Sequence, residues 1–383
     1  MNIVFVSNYF NHHQMELAKN LLDLCDNYYF ISTVQITEER KNMGWGREKV
    51  PDYVIDYNNN RELCQKIVDD LDVVIYGSAP YSIIKDRLKN GKIVFFYSER
   101  LFKNVKIDLK TIKQTAKMWA KFHRYNNAYL LCASAFAAHD YYMINCFRKR
   151  YIKWGYFPPT RTYDDIETVI NCKTPHSILW VSRLIEWKHP EVCIELGKAL
   201  KKRNIDFTIT MIGVGPLRDD IQKLIKSNQL DDNISLLGSM SPTEVRDYME
   251  KSELFVFTSD QNEGWGAVLN ESMNSACAVV ANENIGSVPY LIQDKINGLI
   301  YKNNDINDLI DNVVSVISDN SYRSSLSINA YKTITEEWNA GEAARRLVRL
   351  SYQLLTDNTL SFEVTGPCSQ AKLIKNKNKV RKK

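Results

Sequence analysis

The chain predicts an α/β protein of two successive doubly wound domains, and three observations carry that reading. Short β-branched or aromatic runs alternate with longer segments of helical period; a polar, proline-bearing stretch breaks the rhythm near residue 160; the same alternation then starts again. In the first half the strand runs are 3–7 (IVFVS), 28–33, 72–77, 92–97, 128–133 and 151–154. Most intervals between them are long enough for the crossover helices of a parallel sheet covered on both faces. Residues 155–176, with Pro158, Pro159 and Pro175, read as the interdomain linker. The second half predicts strands at 177–182, 206–212, 233–237, 253–257 and 277–281, with helices near 189–203, 216–228, 242–251, 265–276, 305–318 and 320–337. The division is a Rossmann-like domain at 1–157, another at 158–338, a helix at 339–357 crossing back to the first, and a tail at 358–383. Seven of the last twelve residues are basic and none is acidic, so the tail is expected to be disordered. Ligands of open sheets bind beyond the carboxyl ends of the strands, which predicts a site in a cleft that the two domains face.

Composition narrows the function. Of the 383 residues 44% are hydrophobic and 25% charged, as in a soluble globular protein, and the net charge of +5 is too small to argue for nucleic acid. No signal peptide or membrane-length apolar run is read, so a cytoplasmic protein, at most peripheral on the inner face of the plasma membrane, is expected. The eight cysteines form no Cys-x-x-Cys pair and read as reduced, mostly buried thiols without a zinc site.

The chemistry concentrates in DQNEGWGAVLNESMNSACAVVA, residues 260–281. Glu263 falls in the loop after a strand and Glu271 is placed about two turns into the next helix. Gly264 and Gly266 precede that helix, whose free N–H groups suit a phosphate, whereas carboxylates accept hydrogen bonds from the vicinal hydroxyls of a hexose or ribose. The stretch resembles the Glu, seven residues, Glu motif of the retaining, GT-B-fold glycosyltransferases of the family-4 type (glycosyl transferases group 1). The resemblance implies that Glu263 contacts the donor hexose and Glu271 the nucleoside ribose, with Gly264, Trp265, Gly266, Ala267 and Val268 beside the same ligand.

Other segments fall where that resemblance needs them. WVSRLIEWKHPE, 180–191, resembles the diphosphate clamp, with Arg183 and Lys188 stabilising the charge that develops on a leaving diphosphate. Two fixed cations make a metal unnecessary and no acidic metal cluster is read. The expected co-substrate is a UDP- or GDP-sugar, with no separate cofactor. Gly213, Gly215 and Pro216 resemble the glycine-glycine-proline turn beside the nucleotide, although an ordinary tight turn has the same pattern. Met240 falls where the base would lie. Tyr290 replaces the acid usual in the segment after the motif helix. The likeness covers about 178–302.

The first half matches only in plan. SNYFNHHQ stands where a glycine-rich loop is common, and His12, His13 and Gln14 read either as contacts to phosphate or acceptor, or as polar residues capping a helix. Ser98 and Glu99, in YSERLFK, are candidates for acceptor contacts. Residues 103–124 carry seven basic side chains against one acid at spacings of three or four. Lys106, Lys110, Lys113 and Lys117 would then share a helix side with Trp119 and Phe122 nearby, either a membrane-facing stripe or a solvated surface.

These readings combine as a metal-independent retaining hexosyltransferase, with residues 1–157 expected to bind the acceptor and 158–338 the nucleotide-sugar donor. It would act on a lipid-linked saccharide acceptor at the membrane surface, in surface polysaccharide or glycolipid assembly. A nucleotide-sugar epimerase of the same fold and a non-catalytic sugar-nucleotide-binding protein are the alternatives. A nicotinamide oxidoreductase is disfavoured because NYFNHHQ follows the first strand in place of Gly-x-Gly-x-x-Gly.

Overall fold

The computed structural model describes residues 1–36, 50–103 and 109–376. They form two compact units, unit 1 from residues 1–159 with 337–375 and unit 2 built on residues 160–336.

Unit 1 holds β1 (Asn2–Ser7), β2 (Asn27–Ser32), β3 (Val54–Asp56), β4 (Val73–Tyr76), β5 (Val94–Ser98), β6 (Ala128–Cys132) and β7 (Tyr151–Lys153). They make one parallel sheet in the order β3-β2-β1-β4-β5-β6-β7. β1, β4 and β6 are buried along nearly their whole length, which is why their runs are continuously apolar. The described helices are α1 (His12–Leu24), α2 (Arg61–Asp70), α3 (Ser82–Lys89), α4 (Leu109–Phe122) and α5 (Ala137–Met143). Arg87, on α3, is 1% exposed and donates to the carbonyls of Val68, Leu71, Asp72 and Ile93, tying the end of α2 to the start of β5. A buried cation is stable there because carbonyl oxygens replace its water.

Unit 2 repeats the plan. Its strands are β8 (Thr174–Val181), β9 (Thr208–Ile212), β10 (Ile234–Gly238), β11 (Ser252–Phe257), β12 (Ala278–Asn282) and β13 (Leu299–Tyr301), parallel and in the order β10-β9-β8-β11-β12-β13. Around them lie α6 (Ile166–Asn171), α7 (Glu191–Lys202), α8 (Arg218–Ser227), α9 (Pro242–Lys251), α10 (Val268–Asn274), α11 (Val288–Leu291), α12 (Ile306–Ser318) and α13 (Asn320–Lys332). Trp180, Ile194, Leu200, Ile209, Met211 and Val313 lie in one core under this sheet. The last helix, α14 (Ala340–Thr356), belongs to unit 1 and packs on α1.

Several expectations are corrected. β3 and β13 were not predicted: each has three residues, too few for an alternation to show. The stretch read as linker contains α6, whose N-cap Asp165 accepts from the Glu167 N–H at 2.9 Å, and the first residues of β8. The tail read as disordered is pinned to the fold over residues 363–371. Lys153 N donates to Ser369 O at 2.7 Å, Cys368 N to Lys153 O at 2.9 Å and Ala371 N to Tyr151 O at 3.0 Å, so the chain closes the edge of β7 in antiparallel fashion. The basic end of the tail dominates its composition, but in GPCSQA before it all residues except Gln370 are buried, against an otherwise open strand edge. Lys377 to Lys383 lie outside the described residues. The eight cysteines are free thiols, six of them buried, Cys25 half-buried and Cys172 exposed.

Candidate functional site

In unit 2 the strand order reverses between β8 and β11, and the loops leaving their carboxyl ends meet there. After β8 the chain makes a tight turn at Glu186–Lys188, closed by His189 in the left-handed region at φ 52°. The β11 loop fixes this turn. Thr258 Oγ1 donates to Lys188 O at 2.6 Å, Trp180 Nε1 donates to Thr258 Oγ1 at 2.8 Å, and Asp260 N donates to Trp187 O at 3.1 Å. Two residues chosen from sequence are thereby brought together: Lys188 Nζ is ion-paired with Glu263 Oε2, and both side chains are about nine-tenths buried. Ser259 Oγ donates to the same carboxylate oxygen at 3.2 Å, and the Lys188 amine lies 4.3 Å from the centre of the Trp187 ring. Arg183 is exposed, its guanidinium 5.9 Å from the same ring.

The Glu263 loop is held from the other side. Gly286 N donates to Glu263 O at 3.2 Å, Ser287 Oγ to Trp265 O at 2.6 Å, and Trp265, fully buried, donates its indole N–H to Asn270 at 2.9 Å. Tyr290 lies 6.2 Å from the Trp265 ring, so the residue that replaces the expected acid packs under the loop. Gly266 has φ 83°, and a Cβ there would meet the Phe257 ring at 2.4 Å, so the bend into α10 requires glycine. Gly264 is buried, and Ala267 and Val268 are half-buried at the start of α10. Glu271 is in the first turn of α10, not two turns in, because the helix begins only at Val268. Burial pushes its carboxyl up to about 7, with Arg246 pulling the other way.

Gly213 and Gly215 are demanded by backbone approach. A Cβ on Gly213 would lie 1.8 Å from Ser182 O, and one on Gly215 2.3 Å from Leu184 O. Leu184 N donates to Val214 O and Leu217 N to Leu184 O, so the turn before α8, which contains Pro216, is laced to the loop carrying Arg183. Gly213 N donates to Gly238 O at 2.7 Å, and Met240, half-buried, follows two residues later.

Unit 1 has a cavity of about 740 Å³ at its own reversal of strand order, lined from the ends of β1, β4 and β5. His13, Gln14, Ser98 and Glu99 all line it. His13 stacks on Tyr156, ring centres 5.5 Å apart. Gln14 is also a capping residue: its side chain accepts from Asn11 N at 3.0 Å. Glu99 accepts from Tyr156 Oη at 2.7 Å and from Lys103 Nζ at 2.6 Å, and Ser98 Oγ lies 2.9 Å from Tyr141 Oη. His12 begins α1, and its side chain lies outside the described atoms, as do Lys106 and the Lys110 side chain. Lys113 and Lys117 are exposed. Phe122, expected beside the basic stripe on the surface, is instead 1% exposed and stacks on Phe96.

Residues 165–333 match the family model of the glycosyl transferases group 1. The matched stretch contains Arg183, Lys188, Glu263 and Glu271. An uncharacterized glycosyltransferase of Methanocaldococcus jannaschii is 31% identical over 179 residues, 47% of this chain and 48% of that protein. The N-acetylgalactosamine-N,N'-diacetylbacillosaminyl-diphospho-undecaprenol 4-alpha-N-acetylgalactosaminyltransferase of Campylobacter jejuni is 30% identical over 169 residues, 44% of each chain. The chain thus spans half or less of the length of these curated relatives. Among solved structures, Anabaena HepE in complex with UDP aligns over 91% of this chain and 99% of its own with a TM-score of 0.67. At 13% identity that likeness speaks for the fold alone, the GT-B fold.

Two residues of these sites were missed in the sequence. In the stretch that matches the family model His189 bridges Glu191 at 2.9 Å and Asp260 at 3.4 Å; burial lowers its pKa, but both acids outweigh this and bring it to about 9. The His-Pro-Glu that follows Lys188 was a usable signal. In unit 1 Arg100 lines the cavity and pairs with Asp140 at 3.3 Å, a partner forty residues away that no local pattern announces. Among the described residues no group of three or more His, Cys, Asp or Glu is set to hold a metal, and no helix is long and apolar enough to cross a membrane.

Proposed function

We propose that the protein is a glycosyltransferase that moves a hexose-type sugar from a nucleotide-diphosphate sugar to an acceptor hydroxyl with retention and without a metal. The observation that carries this reading is the buried Lys188–Glu263 pair at the strand-order reversal of the group 1 region. Lys188 and Arg183 would stabilise the leaving diphosphate while Glu263 orients the sugar. The acceptor oxygen attacks the anomeric carbon, the bond from that carbon to the phosphate oxygen breaks, and the acceptor proton passes to the leaving phosphate. Incubation with UDP- and GDP-sugars and an oligosaccharide mixture tests it. Release of nucleoside diphosphate that requires an acceptor is expected, and conversion of the sugar nucleotide alone into an isomer would favour an epimerase.

The Glu271 carboxyl supplies a pH signature. Ribose hydroxyls bind its charged form, so with a folded pKa of about 7 nucleoside diphosphate affinity is expected to rise about tenfold per pH unit below 7 and level off above it. In the free protein the sign is opposite. The folded carboxyl keeps its proton up to about 7, whereas the ordinary value is 4.5, so stability from this group is full below 4.5 and falls as pH rises across that window. Calorimetric titration with UDP and GDP, using Glu271→Gln to carry the ligand's own phosphate titration, measures the difference. Parallel pH profiles for the two proteins would remove Glu271 from the site.

The acceptor is proposed to be lipid-linked. On α4, Ile112 and Trp119 are 53% and 44% exposed at i and i+7, beside exposed Lys113 and Lys117. Apolar and basic stripes side by side suit an anionic membrane surface, and the Campylobacter relative is named for a diphospho-undecaprenol substrate. Lys113→Ala with Lys117→Ala is expected to weaken binding to phosphatidylglycerol vesicles by roughly 10- to 30-fold. Unchanged co-sedimentation would leave the stripe a solvated face.

A further inference from the structure

We infer that the unit 1 cavity takes an acidic saccharide, with Arg100 Nη1 donating to the carboxylate or phosphate of that sugar. The inference rests on the reading of unit 1 as the acceptor side and names the class of acceptor.

The Arg100 side chain is 6% exposed and lines the cavity. Nε and Nη2 each lie 3.3 Å from an Asp140 oxygen, and Asp140 also accepts from Phe102 N at 3.0 Å. The guanidinium sits 5.1 Å from the centre of the Phe136 ring, which fixes its plane. Nη1 remains, buried and without a hydrogen-bond acceptor among the described residues. Folded proteins leave few such groups, and on a residue that lines a cavity an orphan donor is a candidate contact for a ligand acceptor. A guanidinium is the side chain best matched to planar carboxylates and to phosphates.

The surrounding wall favours an anion over a neutral hydroxyl. The charged lining residues are Arg100, Lys121 and Glu99. Both Glu99 oxygens are engaged, one by Tyr156 and one by Lys103, so the acid is offset before a ligand arrives. The Lys121 amine lies 4.9 Å from the centre of the Tyr81 ring and is a second cation of the same wall. The rest of the lining is rich in aromatic rings, among them Tyr76, Phe96, Tyr97 and Tyr141, which offer flat apolar faces to the C–H side of a sugar ring and hydroxyls to its edge. Lys121, together with the guanidinium edge that the Asp140 pair leaves over and with the one lining acid engaged, gives among tyrosines the surface that a uronic acid or a sugar phosphate would need.

The test uses the full chain without a sugar nucleotide. Binding of methyl glucuronide, glucose 1-phosphate, methyl glucoside and inorganic phosphate is measured by ligand-observed NMR. One charged sugar is expected to bind about 10- to 100-fold tighter than methyl glucoside, the glucuronide if the group is a carboxylate and the sugar phosphate if it is a phosphate. Arg100→Lys, which keeps the charge but loses the fork, is expected to erase most of that preference with the thermal unfolding of unit 1 preserved. Should that variant not fold, Lys121→Met decides, since it leaves the Arg100–Asp140 pair in place: a severalfold loss for the charged probe alone is expected. Equal binding of charged and neutral sugars, inorganic phosphate binding as tightly as the sugar phosphate, or preference unchanged in Arg100→Lys overturns the inference. Because no sugar nucleotide is present, failure of the transferase reading would show separately, as absent UDP or GDP binding.

Discussion

Lys188→Met is expected to lower the stability of unit 2 by about 3–5 kcal/mol and to reduce transfer by at least about 10²-fold. The first figure follows from burial. Glu263 and Lys188 are both about nine-tenths buried, so removing the ammonium leaves a carboxylate with Ser259 as its remaining side-chain donor among the described residues and little solvent to compensate it. The second follows from charge: the lysine is one of two cations proposed for the leaving diphosphate, and Arg183, exposed, does not replace it. The two effects separate in the double variant Lys188→Met with Glu263→Gln. Neutralising both members removes the unpaired charge, and most of the lost stability is expected to return, since a buried ion pair replaced by neutral groups of similar size costs little. Transfer is expected to stay low. Urea unfolding followed by tryptophan fluorescence and initial rates of nucleoside diphosphate release measure the two quantities. Recovery of transfer together with stability would make the pair a structural bridge and move the chemistry elsewhere.

What the sequence revealed follows the range of the forces involved. Strands such as IVFVS and CAVVA announced a parallel sheet because burial on both faces leaves a continuous apolar run, a local signature. Lys188 and Glu263 were legible one at a time, since each follows a strand in a loop. Their union was not, because it depends on β8 and β11 being neighbours, a fact of topology. Arg100 and Asp140 escaped for the same reason, forty residues apart and joined only when β5 and α5 are placed. Glu271 was set too deep in its helix because a helix opening near 265 was expected, whereas Gly266 is in the left-handed region and delays the first turn to Val268. The closure of β7 by residues 366–371 was hidden by lysines that follow it, since a charge run dominates any window that contains it.

The second large effect is expected at Gly213, where the sequence left a nucleotide turn and an ordinary turn equally open. Gly213→Ala is expected to destabilise unit 2 by about 3–5 kcal/mol, from a left-handed backbone together with a clash that no rotamer relieves. The Cβ would stand 1.8 Å from a backbone oxygen, that of Ser182, so the strand end itself has to move. Gly91→Ala in unit 1 provides the reference: its φ of 73° is also left-handed, but nothing lies within 4 Å of the added carbon. It isolates the conformational cost of about 1–2 kcal/mol. The difference between the two variants in urea unfolding then combines the backbone contact with the rarer φ of 140° at Gly213, against 73° at Gly91. Ser182 immediately precedes Arg183, and Gly215 makes a second close approach at Leu184 on the other side, so the two glycines hold the loop that presents the guanidinium. Nucleoside diphosphate affinity is therefore expected to fall in Gly213→Ala even under conditions where the protein remains folded, and to be unaffected in Gly91→Ala. A variant that loses stability but keeps its affinity would show that Arg183 does not depend on the strand end for its position, and the glycine pair would then be a turn and nothing more.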